Sequence, residues 1–178
     1  MRKTLLAAAA LLLSVGLVLW AMPPQSDFSA ELKRMYEQDQ AERREGRLSP
    51  QRDRERLERV RKLLLEGALA SPEDYFHAAM IFQHSADRTG RDHLLAHVLA
   101  TAAAMDGYER ARWLSGAALD RFLDFNGQEQ FFGTQFQKED DGLWKPGAWD
   151  EHRTEAIRQQ FKMPDDAAMQ RRADSFNK

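Results

Sequence analysis

The hydrophobic positions along the chain follow three different patterns, one after another. Residues 4–22 carry no charge and are mostly Leu, Ala and Val. From Phe28 onward, apolar residues recur every three or four positions between charged ones, which is the period of amphipathic helices. Beyond Gly127 this period is lost, and aromatic residues alternate with amides, a pattern typical of short strands. The sequence therefore predicts an apolar N-terminal segment, a helical body and a small β element near the C-terminal end.

Breakers and caps set the expected helix boundaries. Gly46 ends the first helix, and Ser49-Pro50 begins a second that Gly67 ends. Three more helices are expected to start near Ser71-Pro72, Asp92 and Tyr108, and the last of them should end near Phe125. Short connections between these helices favour antiparallel packing. We expect a mainly α fold, either a compact helical bundle or stacked helical hairpins, with a small β-hairpin near Phe132 to Trp144.

After the hairpin, the chain is expected to return to helix. Asp150 or Thr154 caps a short helix, and Pro164-Asp165 begins a last, polar helix with a frayed end. The resulting organisation is an N-terminal segment at 1–22, a linker at 23–26 and a single helical domain at 27–178. Within that domain we distinguish charged N-terminal helices at 27–66, a core at 72–163 that bears the candidate motifs, and the polar helix at 164–178.

The N-terminal segment has the features of a membrane-targeting sequence. Met1-Arg2-Lys3 is a short positive stretch, and the uncharged residues 4–22 that follow have about the length that spans a bilayer. Cleavage after Ala21 as a signal peptide and retention as a membrane anchor both remain open. The basic flank predicts that the rest of the chain lies outside the cytoplasm, in the periplasm of a bacterium, either secreted or anchored to the inner membrane.

Charge and composition narrow the classes of partner. The net charge of −2 and the lack of a basic cluster argue against a nucleic-acid partner. Charges alternate in sign from Glu31 to Lys62, which predicts solvated helix faces, with a docking surface for a protein partner as the alternative. The chain has no cysteine, which excludes disulfides and thiol chemistry.

The sequence contains no complete motif for binding a metal or a cofactor. His93 and His97 have the four-residue spacing of a zinc-protease helix, but Leu94 occupies the position that needs the general-base glutamate. Ser115-Gly116 lies within a helix and is not a nucleophile elbow, and there is no glycine-rich phosphate loop. We expect neither a metal nor a cofactor.

The best candidate site is a dispersed set of polar residues that fall among apolar ones, where burying them is costly unless they are paired. Its members are Gln83, His84, Asp87, Asp120, Arg121, Gln130, Gly133, Thr134, Gln135 and Arg158. These side chains are expected to converge around the end of the helix that carries Trp113. The alternative is structural, in which Asp120 and Arg121 hold the following loop and the glutamines cap backbone groups.

The same residues, in the same order, resemble a family. Gln83-His84-x-x-Asp87, Asp120-Arg121, Gly127-x-x-Gln130, Phe132-Gly133-Thr134-Gln135 and Arg158 are similar to the pattern of a bacterial domain-of-unknown-function family, number 6624. The resemblance covers roughly residues 75–163. Phe132 occupies an aromatic position that is usually tyrosine in that family. The resemblance implies a shared fold and a shared site, without a known activity.

These residues support two functions of different classes. As a ligand-binding or scaffold module, the protein would use its arginines to hold a small anionic or amide-containing ligand, with Trp113 or Phe132 as an apolar wall. As a hydrolase-type enzyme, it would use His84 as general acid or base, oriented by Asp87 or Asp120. The residues alone do not decide whether a reaction is catalysed.

Overall fold

The computed structural model describes residues 25–178. In chain order, these residues form α1 (Gln25–Arg44), α2 (Pro50–Leu65), α3 (Pro72–Gln83), α4 (Arg91–Met105), α5 (Arg110–Phe125), β1 (Phe136–Lys138), β2 (Trp144–Pro146), α6 (Glu155–Gln160) and α7 (Asp166–Phe176). The predicted mainly α fold with a small hairpin is confirmed. The apolar segment 4–22 lies outside the described residues, and α1 already begins within the predicted linker 23–26. Between residues 25 and 178, no helix is long and apolar enough to cross a membrane.

Side-chain caps fix the predicted starts of α2, α3 and α6, whereas α4 and α5 begin without a side-chain cap. The Ser71 side chain accepts a hydrogen bond from the Asp74 backbone N–H, and the Asp74 carboxylate accepts one from the Ser71 N–H, which is a capping box. Ser49 caps α2 with Pro50 at its first position. Of the two candidates for α6, Thr154 caps the helix and Asp150 does not.

Helix α3 lies at the centre of the helical body, where it contacts α1, α2, α4 and α5. Its apolar residues Phe76, Ala79 and Phe82 are almost fully buried. On α4, a series of buried alanines including Ala96 and Ala100 faces the neighbouring helices. Because alanine adds little bulk, α4 can lie close to both α3 and α5.

The prediction that the charges of the first two helices are solvated is wrong at two positions. Asp39 is 1% exposed and Arg56 is 7% exposed. Arg56 donates hydrogen bonds to Glu42 at 2.9 Å and to Asp53 at 2.6 Å, so it joins α1 to α2. Both residues lie on the buried stripes of their helices, where the charges are compensated by internal partners.

The predicted extended segment is shorter than its aromatic pattern suggests. β1 pairs with β2 in antiparallel register from Phe136 opposite Pro146 to Lys138 opposite Trp144. Residues 131–135 form an irregular loop instead, because a buried carboxylate takes the N–H groups that a neighbouring strand would otherwise take. Gln130 retains only an isolated parallel bridge to Trp149.

The C-terminal helix is docked. Met169 and Ala173 of α7 are buried, and α7 contacts β2. Asn177 follows the helix: its side chain accepts a hydrogen bond from the Trp144 N–H at 2.7 Å and donates one to the Trp144 carbonyl at 3.0 Å. The expected fraying therefore does not extend to Asn177, whose side-chain amide pairs with the edge of the hairpin.

Candidate functional site

Asp120, near the end of α5, holds the loop at 131–135. Its fully buried carboxylate accepts four hydrogen bonds of 2.8 Å, from the backbone N–H groups of Phe131, Phe132 and Thr134 and from the Thr134 hydroxyl. Burial raises the pKa of Asp120, and the four donors oppose that rise by stabilising the ionised form. Asp120 thus positions the loop, and its oxygens are already occupied.

A second polar residue, Gln130, completes the support of this loop. Its side-chain carbonyl accepts the Gln135 N–H at 2.7 Å, and its side-chain nitrogen donates to the Gln135 carbonyl at 3.3 Å. Gly147 packs directly against this amide, where a Cβ atom would overlap Gln130 Nε2. Gly133 adopts a φ of +73°, a left-handed conformation that favours glycine. Gln130 and Gly133 therefore fix the conformation of the loop without lining the cleft that is described below.

Arg121 and Gln135 are brought together by this support. Arg121 Nε donates to Gln135 Oε1 at 3.0 Å, and its Nη1 donates to the Gln83 backbone carbonyl at 2.9 Å. Both acceptors are neutral, and Arg121 has no carboxylate partner among the described residues. Burial lowers the pKa of Arg121, the charge of Arg43 lowers it further, and Asp124 opposes the change. Arg121 is therefore a half-buried cation that no carboxylate of the described residues contacts.

Arg121 faces a cleft of about 310 Å³, which we call the Arg121 cleft. None of its lining side chains is acidic. Four are aromatic and two are arginines, and the full lining is Gln83, Trp113, Ala117, Arg121, Thr134, Gln135, Phe136, Trp144, Arg172 and Phe176. The Gln83 side chain donates weakly to the Ala117 carbonyl at 3.4 Å, and its buried Oε1 has no hydrogen-bond partner. The cleft combines positive charge, aromatic walls and an unsatisfied acceptor.

His84 and Asp87 lie elsewhere, and the predicted partners of His84 are wrong. The His84 Nδ1 atom is 2.8 Å from Asp39 Oδ2 on α1, while Asp120 binds the loop. Asp87 accepts hydrogen bonds from the Thr89 N–H and hydroxyl, which form a local turn. Burial lowers the pKa of His84, and Asp39 opposes that shift. The imidazole does not line the Arg121 cleft.

Arg158 is also separate from the cleft. It is 2% exposed and is hydrogen-bonded to the Asp166 carboxylate and to the Pro164 carbonyl. It therefore joins α6 to the start of α7. Of the ten sequence-predicted site residues, the structure places Gln83, Arg121, Thr134 and Gln135 on the cleft, while Asp120, Gln130 and Gly133 form its support.

The two histidines with zinc-like spacing have different environments. His93 is fully buried against Phe125, with ring centroids 4.8 Å apart, and neither ring nitrogen has a hydrogen-bond partner. Burial and the charge of Arg121 lower the pKa of His93 to about 4, while the Phe82 backbone and the charges of Asp92 and Asp87 oppose this shift. His97 Nδ1 is 2.9 Å from the Ser115 carbonyl. Within residues 25–178, no group of three or more His, Cys, Asp or Glu side chains could hold a metal ion.

Sequence reasoning missed five residues of this region. Asp39, the partner of His84, lies seven positions after Leu32 and so continues the apolar stripe of α1, which was a usable signal. Phe136 and Trp144 were assigned to the hairpin without a role at a site. Arg172 and Phe176 lie in a helix that was expected to be polar and frayed. Only the tertiary docking of α7 brings these last two to the cleft.

Comparisons with known proteins found no relative from which a function could be inferred. No family model, no curated protein and no solved structure matches the chain. The resemblance to family 6624 therefore stays a prediction.

Proposed function

We propose that this protein binds a small anionic ligand in the Arg121 cleft. The observation that carries the proposal is the Arg121 guanidinium, which faces the cleft with two neutral acceptors and no carboxylate partner among the described residues. A ligand carboxylate or phosphate would supply the missing counter-charge.

The energetics favour an anion over a neutral ligand. Removing a cation from water costs several kcal/mol, and this cost is recovered only where an opposite charge and further hydrogen bonds are present. Arg121 is half-buried, and burial and the charge of Arg43 both lower its pKa. An arginine fork can hold a carboxylate or phosphate with two parallel hydrogen bonds. Binding an anion would therefore relieve a cost that the free protein carries.

The lining and size of the cleft narrow the ligand further. Trp113, Phe136, Trp144 and Phe176 provide an apolar body site, while Thr134 and Gln135 lie beside the charge. A volume of about 310 Å³ lies at the lower end of small-molecule sites, which are typically ~300–1,000 Å³. The ligand we propose is a small acid with an aromatic or apolar body. From the N-terminal segment, we propose that it is bound outside the cytoplasm, by a protein either secreted or anchored in the membrane.

Tryptophan fluorescence offers a direct test, since Trp113 and Trp144 line the cleft. The full chain, purified in mild detergent, would be titrated with 3-phenylpropionate and with the neutral 3-phenylpropanol. We expect saturable binding of the acid only, and at least a tenfold loss of affinity in Arg121→Met. Arg112→Met is the matched control, because Arg112 lies on the same helix outside the cleft lining. Equal binding of acid and alcohol, or unchanged binding in Arg121→Met, would refute the proposal.

A hydrolase-type enzyme remains the second candidate, on the strength of the His84–Asp39 pair. A histidine oriented by a buried carboxylate is a common arrangement for a general base, and Asp39 is buried while the His84 side chain retains 17% exposure. The test is His84→Gln, assayed for ester and phosphoester hydrolysis. A lost activity with preserved ligand affinity would place chemistry at His84, whereas lost affinity alone would give it a structural role.

A further inference from the structure

We infer that the ligand of the Arg121 cleft carries a hydrogen-bond donor beside its acid group, as an N-acylated amino acid or the C-terminal residue of a peptide does. This inference rests on the proposed function and specifies the ligand class. Two adjoining features carry it, namely the unpaired Arg121 cation and the unpaired side-chain carbonyl of Gln83.

The orientation of the Gln83 amide is fixed by its neighbour. The Ala117 backbone carbonyl, 3.4 Å from the nitrogen, can only accept hydrogen bonds, so Nε2 must face it. Exchanging the amide atoms would set two oxygens against each other. Oε1 is therefore the atom left without a partner, on a residue that is 5% exposed.

An unpaired buried carbonyl calls for a donor. Most buried side-chain polar atoms in proteins have a hydrogen-bond partner, so the lone oxygen of Gln83 requires an explanation. Gln83 lines the cleft, so we expect a ligand bound there to place its donor against this amide. A carboxylate cannot fill this role, because it only accepts hydrogen bonds.

The Arg121 guanidinium and the Gln83 side chain belong to neighbouring residues of the cleft. Arg121 Nη1 donates to the backbone carbonyl of Gln83 itself, so the acid-binding group and the acceptor belong to contacting residues. In an N-acyl amino acid, one carbon separates the carboxylate from the amide nitrogen, so a ligand of this class presents an acid and a donor close together. The side chain of such a ligand would lie against the aromatic walls formed by Trp113 and Phe136.

Three matched probes measure how much the carboxylate and the N–H donor of a ligand each contribute to affinity for the wild-type protein. N-acetyl-L-phenylalanine has the carboxylate and the N–H, 3-phenylpropionate lacks the amide, and N-acetyl-L-phenylalaninamide lacks the charge. We expect the first to bind about tenfold more tightly than the second, which corresponds to satisfying one buried acceptor. The amide without the acid should bind weakest.

Gln83→Met removes the acceptor while keeping the length of the side chain. We expect it to reduce the preference for N-acetyl-L-phenylalanine over 3-phenylpropionate to about one. If the wild-type protein binds both acids equally, the inference is overturned while the anion-binding function stands. If neither acid binds, the proposed function itself fails. The wild-type comparison decides the question even if Gln83→Met does not fold.

Discussion

Replacing Asp120 with asparagine tests whether one carboxylate holds the loop that shapes the cleft. The substitution keeps the size of the side chain and removes its charge. One oxygen remains and can still accept two hydrogen bonds. The other becomes an NH₂ group that faces two donors, either the N–H groups of Phe131 and Phe132 or the N–H and hydroxyl of Thr134.

The magnitude follows from these four contacts. A hydrogen bond to a charged acceptor contributes ~1.5–3 kcal/mol, a neutral one ~0.5–1.5 kcal/mol, and a buried donor left unpaired costs ~1–3 kcal/mol. Two weakened bonds and two orphaned donors together cost roughly 4–8 kcal/mol by these values, and relief from burying a charge offsets several kcal/mol of that. We therefore expect Asp120→Asn to lower the free energy of unfolding by about 3 kcal/mol.

Urea unfolding followed by circular dichroism measures this change through the midpoint and slope. Asp124→Asn is the control, because Asp124 lies on the same helix and makes one exposed hydrogen bond to Gln137; we expect a loss within ~0.5 kcal/mol. A loss below ~1 kcal/mol in Asp120→Asn would mean that burial of the charge cancels the hydrogen bonds, and the anchoring argument would be refuted.

Two further substitutions probe the interior. His93→Leu should make the free energy of unfolding depend less on pH in the acidic range. In the wild type, the pKa of His93 is about 4 in the folded state and 6.5 in the unfolded state. The unfolded chain therefore takes up the proton first, and stability is lost as the pH falls through this window, by about 3 kcal/mol; urea midpoints at pH 7 and pH 4.5 that fall as steeply as in the wild type would contradict this. Gly116→Ala should destabilise by about 1–2 kcal/mol, since the new methyl group would lie 2.9 Å from the Phe132 ring and closer still to Met163 Cε. A double-mutant cycle with Met163→Ala should recover part of that loss, and strict additivity would argue against the clash.

Helix positions were accessible from the sequence because caps and apolar spacing act locally. The capping box at Ser71 and the end of α5 near Phe125 follow from neighbouring residues alone. Arg121 and Gln135 could be named as candidates because polar side chains among apolar ones require partners. The burial of Asp39 could also have been predicted, because Asp39 lies on the apolar stripe of α1. The alternating charges along this helix instead favoured the prediction that its charged residues are solvated.

Other parts of the cleft depend on long-range packing. The loop at 131–135 has the aromatic composition of a strand, yet Asp120 supplies the partners for its N–H groups and removes any need for a second strand. Phe176 reaches the cleft because α7 docks on the hairpin, where its ring lies 5.2 Å from that of Phe136. Neither the irregular loop nor the position of Phe176 follows from a local sequence pattern, because both depend on contacts with residues far away in the chain.

The end of α3 connects the N-terminal helices to the cleft. Gln83 accepts a hydrogen bond from Arg121 through its backbone carbonyl, and the next residue, His84, is bound to Asp39 on α1. Two adjacent residues therefore join α5 on one side to α1 on the other. The charges of Arg43 and Arg121 also affect His84, since both lower its pKa. Helix α1 is thus linked to the residue that accepts a hydrogen bond from Arg121 through a single peptide unit.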